Sequence, residues 1–263
     1  MLPKNLCKNL KGIFSDIDDT ISLQGKIPKL AYNALCEAKE AGLRVIPVTG
    51  RPAGWVDHLA RMWPVDAVVG ENGAFYFYLD LEQGRDGKLI RRFLQSEKTR
   101  ESNRKKLWKI FSEMKKEKKH LQVASDQGYR EIDIAVDFCE DVARLPEKEI
   151  DWIVKQFTRA DAQVKISSIH VNAWFGKHDK ASTCKLLLKE LFKEDFEKVK
   201  DLYLYCGDSP NDEPLFQCFP ETIGMANVKD FLPQMKYHPK YIAKKAGGLG
   251  FAETVQQILK FRT

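Results

Sequence analysis

Gly12-Ile-Phe-Ser-Asp-Ile-Asp-Asp-Thr20 decides how the rest of the chain is read. Apolar residues run as a short strand into three carboxylates, Asp16, Asp18 and Asp19, and then the hydroxyl of Thr20. A core strand has no use for acids at its end, whereas in an open α/β sheet ligands sit beyond the carboxyl ends of the strands. If the strand stays extended, Asp16 and Asp18 point the same way. Converging carboxylates repel, and a hard cation between them, or a proton on one, relieves this. The stretch reads either as a Mg2+ site with a carboxylate nucleophile or as an Asp/Thr cluster that starts a helix.

Working outward, residues 28–41 place Leu30, Ala31, Ala34, Leu35 and Ala38 at helical spacing, with Gly42 as a stop. Residues 43–48 read as a second buried strand ending in Thr49-Gly50-Arg51-Pro52. A helix over 53–62 leads to Asp66-Ala-Val-Val69 and the turn Gly70-Glu-Asn-Gly73. Strand–helix–strand–helix–strand predicts parallel strands joined by right-handed crossovers.

The pattern then changes. Segments 75–81 and 88–94 form a hairpin, and 97–120 a lysine-rich helix with Leu107, Ile110, Phe111 and Met114 as its apolar stripe. Strands follow at 121–125 and 131–138. The latter alternates Ile132, Ile134 and Val136 on one face with Asp133 and Asp137 on the other. A helix over 146–158 and strands at 163–166 and 168–174 complete what reads as a separate antiparallel α+β domain. The parallel pattern returns with a helix over 179–192 opening on Asp179 and Lys180. A strand over 201–206 then ends in Gly207-Asp208-Ser209-Pro210-Asn211-Asp212. A helix over 213–218, a strand over 221–225 and a helix over 251–261 finish the chain. The predicted fold is therefore α/β. A Rossmann-like core with a parallel sheet and helices on both faces, residues 1–80 and 177–263, is interrupted by an α+β insert, residues 81–176.

Composition narrows the class. With 263 residues, 43% apolar and 30% charged, the chain is expected to be globular and soluble. No apolar run reaches the roughly 20 residues of a membrane span, and the first eleven residues lack the apolar stretch of a secretory signal. Six scattered cysteines without a Cys-x-x-Cys pair predict reduced thiols and a cytoplasmic location rather than a zinc site or disulfide framework. The +6 net charge is a weak bias toward anionic partners that a lysine-rich surface explains equally well.

Four polar clusters stand at strand ends or a helix start: Asp16/Asp18, Thr49, Lys180 and Asp208/Asp212. Their kinds and order resemble the haloacid dehalogenase superfamily of phosphohydrolases. Asp16-Ile-Asp18-Asp-Thr20 matches its first motif, Asp-x-Asp-x-Thr; Thr49 and Lys180 match the second and third. Gly207-Asp208-Ser-Pro-Asn211-Asp212 matches the fourth. The interval from Thr49 to Lys180 is long enough for a domain of its own (these start near ~50 residues). That placement, and the Asn72-Gly73-Ala74 turn, resemble the branch with the second cap type. The branch holds sucrose-phosphate and mannosylphosphoglycerate phosphatases and phosphomannomutase. Asp19, where Gly is commoner, is a variant of the sugar-phosphate phosphatases.

The resemblance implies a phosphatase acting on a small phosphorylated metabolite, in the first place a sugar phosphate, through an aspartyl-phosphate. Asp16 would be the nucleophile, and Asp18 the acid that protonates the leaving alkoxide and then activates water. Mg2+ would be held by Asp16, Asp208 and the backbone carbonyl of Asp18. Thr49, Gly50 and Lys180 would hold the phosphoryl oxygens. Asn211 and Asp212 would orient metal waters and Lys180. Arg51 and Asn72 are read as substrate contacts or structural residues, and nothing gives Asp19 a role. No nucleic-acid or membrane partner is expected, and the chain is expected to act as a monomer or homodimer.

Each residue alone has a blander account: a surface lysine at 180, a helix cap at Thr49, a turn at 208–212. His178 reads as a loop residue, Trp174 and Phe175 as hinge packing, and Cys206 as a small buried apolar group. Alternatives to hydrolysis are a phosphomutase of the phosphomannomutase type, a non-catalytic module holding metal and an anion, and action on nucleic-acid ends.

Overall fold

The computed structural model describes residues 2–167 and 169–262. Its centre is a five-stranded sheet in the order Tyr241–Ile242, Glu221–Gly224, Tyr203–Gly207, Gly12–Ser15, Arg44–Pro47, parallel throughout. Neighbouring residues of each strand bury on opposite faces, as an extended backbone requires. Ile13, Val45 and Leu204 join one apolar cluster, whereas Phe14, Ile46 and Tyr205 join the other. This two-sided burial is why the strands read as unbroken apolar runs. Helices Lys29–Glu40 and Gly247–Lys260 cover the first face, and Lys180–Leu191 and Glu213–Cys218 the second.

Beyond Arg44–Pro47 the sheet continues through a single parallel bridge, Val48 to Val69. Strand Val68–Gly70 then pairs antiparallel with Phe75–Asp80, which pairs with Lys88–Phe93. Leu89 and Phe93 of that last strand pack on the first core cluster, so a strand from the expected 81–176 insert is built onto the core sheet.

The insert's own sheet has four antiparallel strands, in the order Gln122–Val123, Ile134–Asp137, His170–Trp174, Gln163–Ile166. Ser168, at the start of the expected 168–174 strand, lies outside the described residues. Helices Glu97–Glu117 and Glu147–Arg159 pack on one face through Leu107, Phe111, Ile150, Ile153 and Phe157, against Ile134, Val136, Val171 and Ala173. The other face carries Asp133, Asp137, Lys165, His170 and Asn172. Asp133 and Asp137 are buried, so this polar face is covered rather than solvated. Ile132 departs from the expected alternation: it precedes the strand and packs in the core's first cluster.

Boundaries moved where local chemistry is weak. The last helix begins at Gly247 rather than 251, its first turn rich in glycine, a poor helix former. Helix Lys4–Asn9 and edge strand Tyr241–Ile242 carry no strong pattern and were not expected. Among the described residues, no helix is long and apolar enough to cross a membrane.

Candidate active site

Four strand or helix ends of the core meet at one point. The Gly12–Ser15 strand stops before Asp16, whose N–H donates to the Cys206 carbonyl at 2.9 Å. The Ile17 carbonyl then accepts from Thr20, Ile21 and Ser22, closing a tight turn. The turn needs a left-handed residue at Asp19 (φ 54°), a conformation that Asp tolerates better than most. The Asp19 carboxylate also accepts the Gln24 N–H, which gives this position a local structural role.

Asp16 is buried, and Lys180 Nζ donates to its Oδ1 at 2.7 Å. Lys180 opens its helix immediately after Asp179, which forms a capping box with Ser182. Burial alone would lower the Lys180 pKa, but the Asp16 and Asp212 carboxylates hold it above its ordinary value. Asp212 Oδ1 lies 3.5 Å from Lys180 Nζ and accepts from Tyr205 Oη at 2.6 Å. Its Oδ2 accepts from the Asp208 and Ser209 N–H groups. Gly207 makes room for that fold-back, since a Cβ there would lie 2.6 Å from Asp212 Cγ. Asp208 accepts from Thr20 Oγ1 at 3.1 Å and Asn227 Nδ2 at 3.0 Å.

Asp16, Asp208 and Asp212 each offer an oxygen within 4.8 Å of the others. Burial pushes Asp16 up to about 7; Lys180 opposes this, and Asp212 and Asp18 add to it. Burial, then Asp212 and Asp16, also hold Asp208 well above the usual carboxylate range. Three buried acids share one ammonium, an excess of negative charge and hard oxygen donors that fits Mg2+. Asp212 accepts two donors on each oxygen, whereas Asp208 accepts one on each and Asp16 only Lys180, which leaves Asp16 and Asp208 as the side chains freer to ligate it.

Asp18 lies in the turn, and its carboxylate is engaged by Arg51. The guanidinium grips both oxygens, at 2.8 Å from Nη2 and 3.1 and 3.2 Å from Nε. Arg51 stacks on Trp55 and reaches the insert's Glu140 at 3.7 Å and Asp126 at 3.9 Å. Expected as a substrate contact, Arg51 thus has the geometry of a clamp on Asp18. Thr49 is buried and its hydroxyl accepts the Arg51 N–H at 3.0 Å. The Gly50 carbonyl accepts from the insert's Arg130 at 3.1 Å. Asn72 is left-handed (φ 55°), with Nδ2 buried and unpartnered. Asn211 lines the cavity between core and insert.

Reasoning from sequence missed three residues. Asn227 ties Asp208 to the Asp19 carbonyl, and it stands just past the Glu221–Gly224 strand, where the strand-end rule should have found it. Tyr205 sits inside a strand and gave no signal. Glu71 accepts backbone N–H groups from Glu131, Ile132 and Asp133, fastening the insert to the core.

Gly73 lies against the start of the helix that carries Lys180. At φ 97°, its missing Cβ would lie 2.1 Å from the Asp179 carbonyl oxygen and 2.7 Å from Lys180 N. Its carbonyl accepts from Thr183 Oγ1 at 2.6 Å. Gly73→Ala should therefore push back the helix start that carries Lys180. We expect a stability loss of about 2–4 kcal/mol, from left-handed strain plus backbone overlap, read by thermal unfolding. A loss below ~0.5 kcal/mol would show that the turn yields freely.

The family profile of the haloacid dehalogenase-like hydrolases matches residues 13–246. No curated protein matches the chain in sequence at a significant level. Among solved structures, a Thermoplasma acidophilum protein superposes with TM-score 0.72 at 21% identity, over 95% of this chain and 98% of that one. The sucrose-phosphatase of Synechocystis sp. PCC6803, solved with sucrose and phosphate, gives 0.64 at 16% identity, over 95% and 98%. A phosphatase of the haloalkanoate superfamily from Bacteroides thetaiotaomicron gives 0.62 at 14% identity, over 99% and 98%. At these identities the likeness is one of fold.

Proposed function

The chain belongs to the haloacid dehalogenase-like hydrolases, and within that family we propose that it is a Mg2+-dependent phosphatase of a small phosphorylated metabolite, in the first place a sugar phosphate. The observation that carries this is the division of labour between the two acids of the opening motif. Asp16 is held by Lys180 inside the buried acid cluster, and Asp18 is clamped separately by Arg51. A nucleophile and an acid/base need different surroundings, and these two have them.

Mg2+, when bound by Asp16 and Asp208, supplies positive charge that lets a phosphate dianion approach a carboxylate. Asp16 attacks phosphorus, and Lys180 and the backbone around Thr49 and Gly50 hold the phosphoryl oxygens. Asp18 gives its proton to the departing alkoxide oxygen. It then takes one from the water that cleaves the acyl-phosphate and restores Asp16. The Arg51 clamp keeps the Asp18 carboxyl aimed through both steps. The insert acts as a cap over the site. None of the six cysteines is in a disulfide, which supports a reducing, cytoplasmic setting.

Mg2+-dependent phosphate release from a panel of phosphorylated sugars and aryl phosphate tests this reading. Release should stop with chelator and return with added Mg2+. Full turnover in chelator would remove the metal from the mechanism, and silence on every monoester would remove the phosphatase.

Titration of the cation-free protein offers a second check. Asp16 rises from 3.8 to about 7, chiefly through burial. A raised folded value means the neutral form favours the fold. That stability is present below the unfolded values and lost as pH rises through about 7. The metal-free chain should melt lower at pH 8 than at pH 6, with Mg2+ restoring part of the difference at pH 8. A flat profile would contradict the buried, charge-crowded cluster.

A further inference from the structure

Between cap and core lies a cavity of about 220 Å3 whose walls include Asn72, Lys165, Trp174, His178 and the catalytic Lys180. Pockets for drug-sized ligands start near ~300 Å3, so a leaving group held here is small. Among these residues Asn72 Nδ2, Trp174 Nε1 and His178 Nε2 are fully buried and have no hydrogen-bond partner among the described residues.

Lys165 is the distinctive member. It projects from cap strand Gln163–Ile166, cross-strand from Asn172, and among the described residues its Nζ hydrogen-bonds the Pro210 carbonyl alone, at 3.4 Å. Among the described residues it forms no ion pair. The cap's buried cation on this face, Arg130, is neutralised by Asp126 and Asp133. Lys180 is neutralised by Asp16 and Asp212. Lys177 also lines the cavity; Asp179, the carboxylate there, is spent capping its helix. Burial, and then the charge of Lys180, depress the Lys165 pKa; the carboxylates of Asp212 and Glu213 oppose this, though neither forms an ion pair with it. His178, stacked on Trp174, is held neutral by burial, its pKa lowered to about 4, so it offers hydrogen bonding rather than charge.

We propose that Lys165 binds a second anionic group on the leaving alcohol, so that the preferred substrates are small phosphate monoesters that also carry a carboxylate or a further phosphate. This rests on the phosphatase reading above. The transferring phosphoryl group sits with Asp16 and Lys180, while Lys165 receives the anion at the substrate's far end. Lys165 is thereby the specificity-determining residue of the cap.

Two matched pairs test it. 3-Phosphoglycerate and glycerol 3-phosphate differ by a carboxylate against a hydroxymethyl; fructose 1,6-bisphosphate and fructose 6-phosphate differ by one phosphate. The wild-type protein should favour the charged member of one pair by about tenfold or more in kcat/KM, the scale of a charge-assisted hydrogen bond. Which pair responds tells carboxylate from phosphate. Lys165→Met should bring that ratio toward one, and Lys165→Arg should keep it. A wild-type ratio at or below one for both pairs overturns the proposal. So does a Lys165→Met variant that loses rate equally on both members, because Lys165 would then serve the transferring group. If the wild type releases phosphate from none of the four and from none of the panel above, the phosphatase reading fails by itself. Calorimetric binding of the same four compounds to the wild type and to Lys165→Met then decides the anion preference separately. Should Lys165→Met fail to fold, Lys165→Gln supplies the uncharged variant.

Discussion

Asp16→Asn is expected to cut phosphate release by about 10^4-fold or more, the scale seen when a nucleophile is removed, while the metal-free protein melts no lower than the parent. The two halves of that outcome come from one geometry. Asn keeps the shape of the side chain and an oxygen for Lys180 to donate to, but an amide cannot attack phosphorus. Its effect on the fold follows from charge. Asp16, Asp208 and Asp212 face one ammonium, and Asp16 is pushed up to about 7 by burial and its acidic neighbours. Losing one of three carboxylates brings the cluster closer to neutrality, and Lys180 keeps Asp212 at 3.5 Å. A merely structural Asp16 predicts the reverse: partial activity and a melting temperature several degrees lower. The parent, quenched in acid during turnover, should carry a phosphoryl group on the Asp16 peptide, and the variant should not. Turnover near the parental rate would end the aspartyl-phosphate mechanism.

The core was legible because its chemistry is local. Each strand that ends at the site runs apolar and then turns polar within a residue or two, as at Ser15–Asp16 and Gly207–Asp208, and those positions were found. What sequence could not supply was pairing. Arg51 and Asp18 are 33 residues apart, and only the fold makes one the clamp of the other. Tyr205 reads as a core aromatic because its hydroxyl's partner, Asp212, lies across a turn that sequence does not draw. The alternation of Asp133 and Asp137 gave the right faces for the cap strand but not their surroundings. An acid on the side away from the hydrophobic core normally meets water, and here both are buried. Asp137 is satisfied by the backbone of Cys139, Glu140 and Asp141, and Asp133 by Arg130 and Asn172. The cap's polar face is therefore prepaid in hydrogen bonds, and Lys165 stands out on it because it lacks an equivalent arrangement.

Glu71→Gln is expected to cost about 2–4 kcal/mol of stability and to loosen the cap, although the side chain touches neither metal site nor cavity. Glu71 is fully buried, on a left-handed turn (φ 40°) directly before Asn72. Oε1 accepts from Ala53 N at 3.0 Å and Glu131 N at 2.9 Å; Oε2 accepts from Ile132 N at 2.7 Å and Asp133 N at 3.0 Å. Three of the four donors belong to the cap, so one carboxylate joins the two domains through their backbones. Burial favours a proton on Glu71, but a proton on either oxygen would face a donor rather than an acceptor. The amide of Gln has the same defect with two hydrogens: whichever way it is turned, two N–H groups lose their acceptor and meet another donor. Each buried donor left unsatisfied costs about 1–3 kcal/mol, and water entering the gap recovers part of the sum. Arg130, held to the Gly50 carbonyl and to Asp133, and Arg51, reaching Asp126 and Glu140, would then carry more of the polar contact. Because Arg51 also holds Asp18, a loosened cap should lower kcat as well as raise KM, which distinguishes a latch from a remote packing residue. Thermal unfolding and faster proteolytic cleavage at the core–cap connections near residues 94–96 and 175–177 would report the release. A variant within ~0.5 kcal/mol of the parent, with unchanged kcat, would show that the cap is held elsewhere.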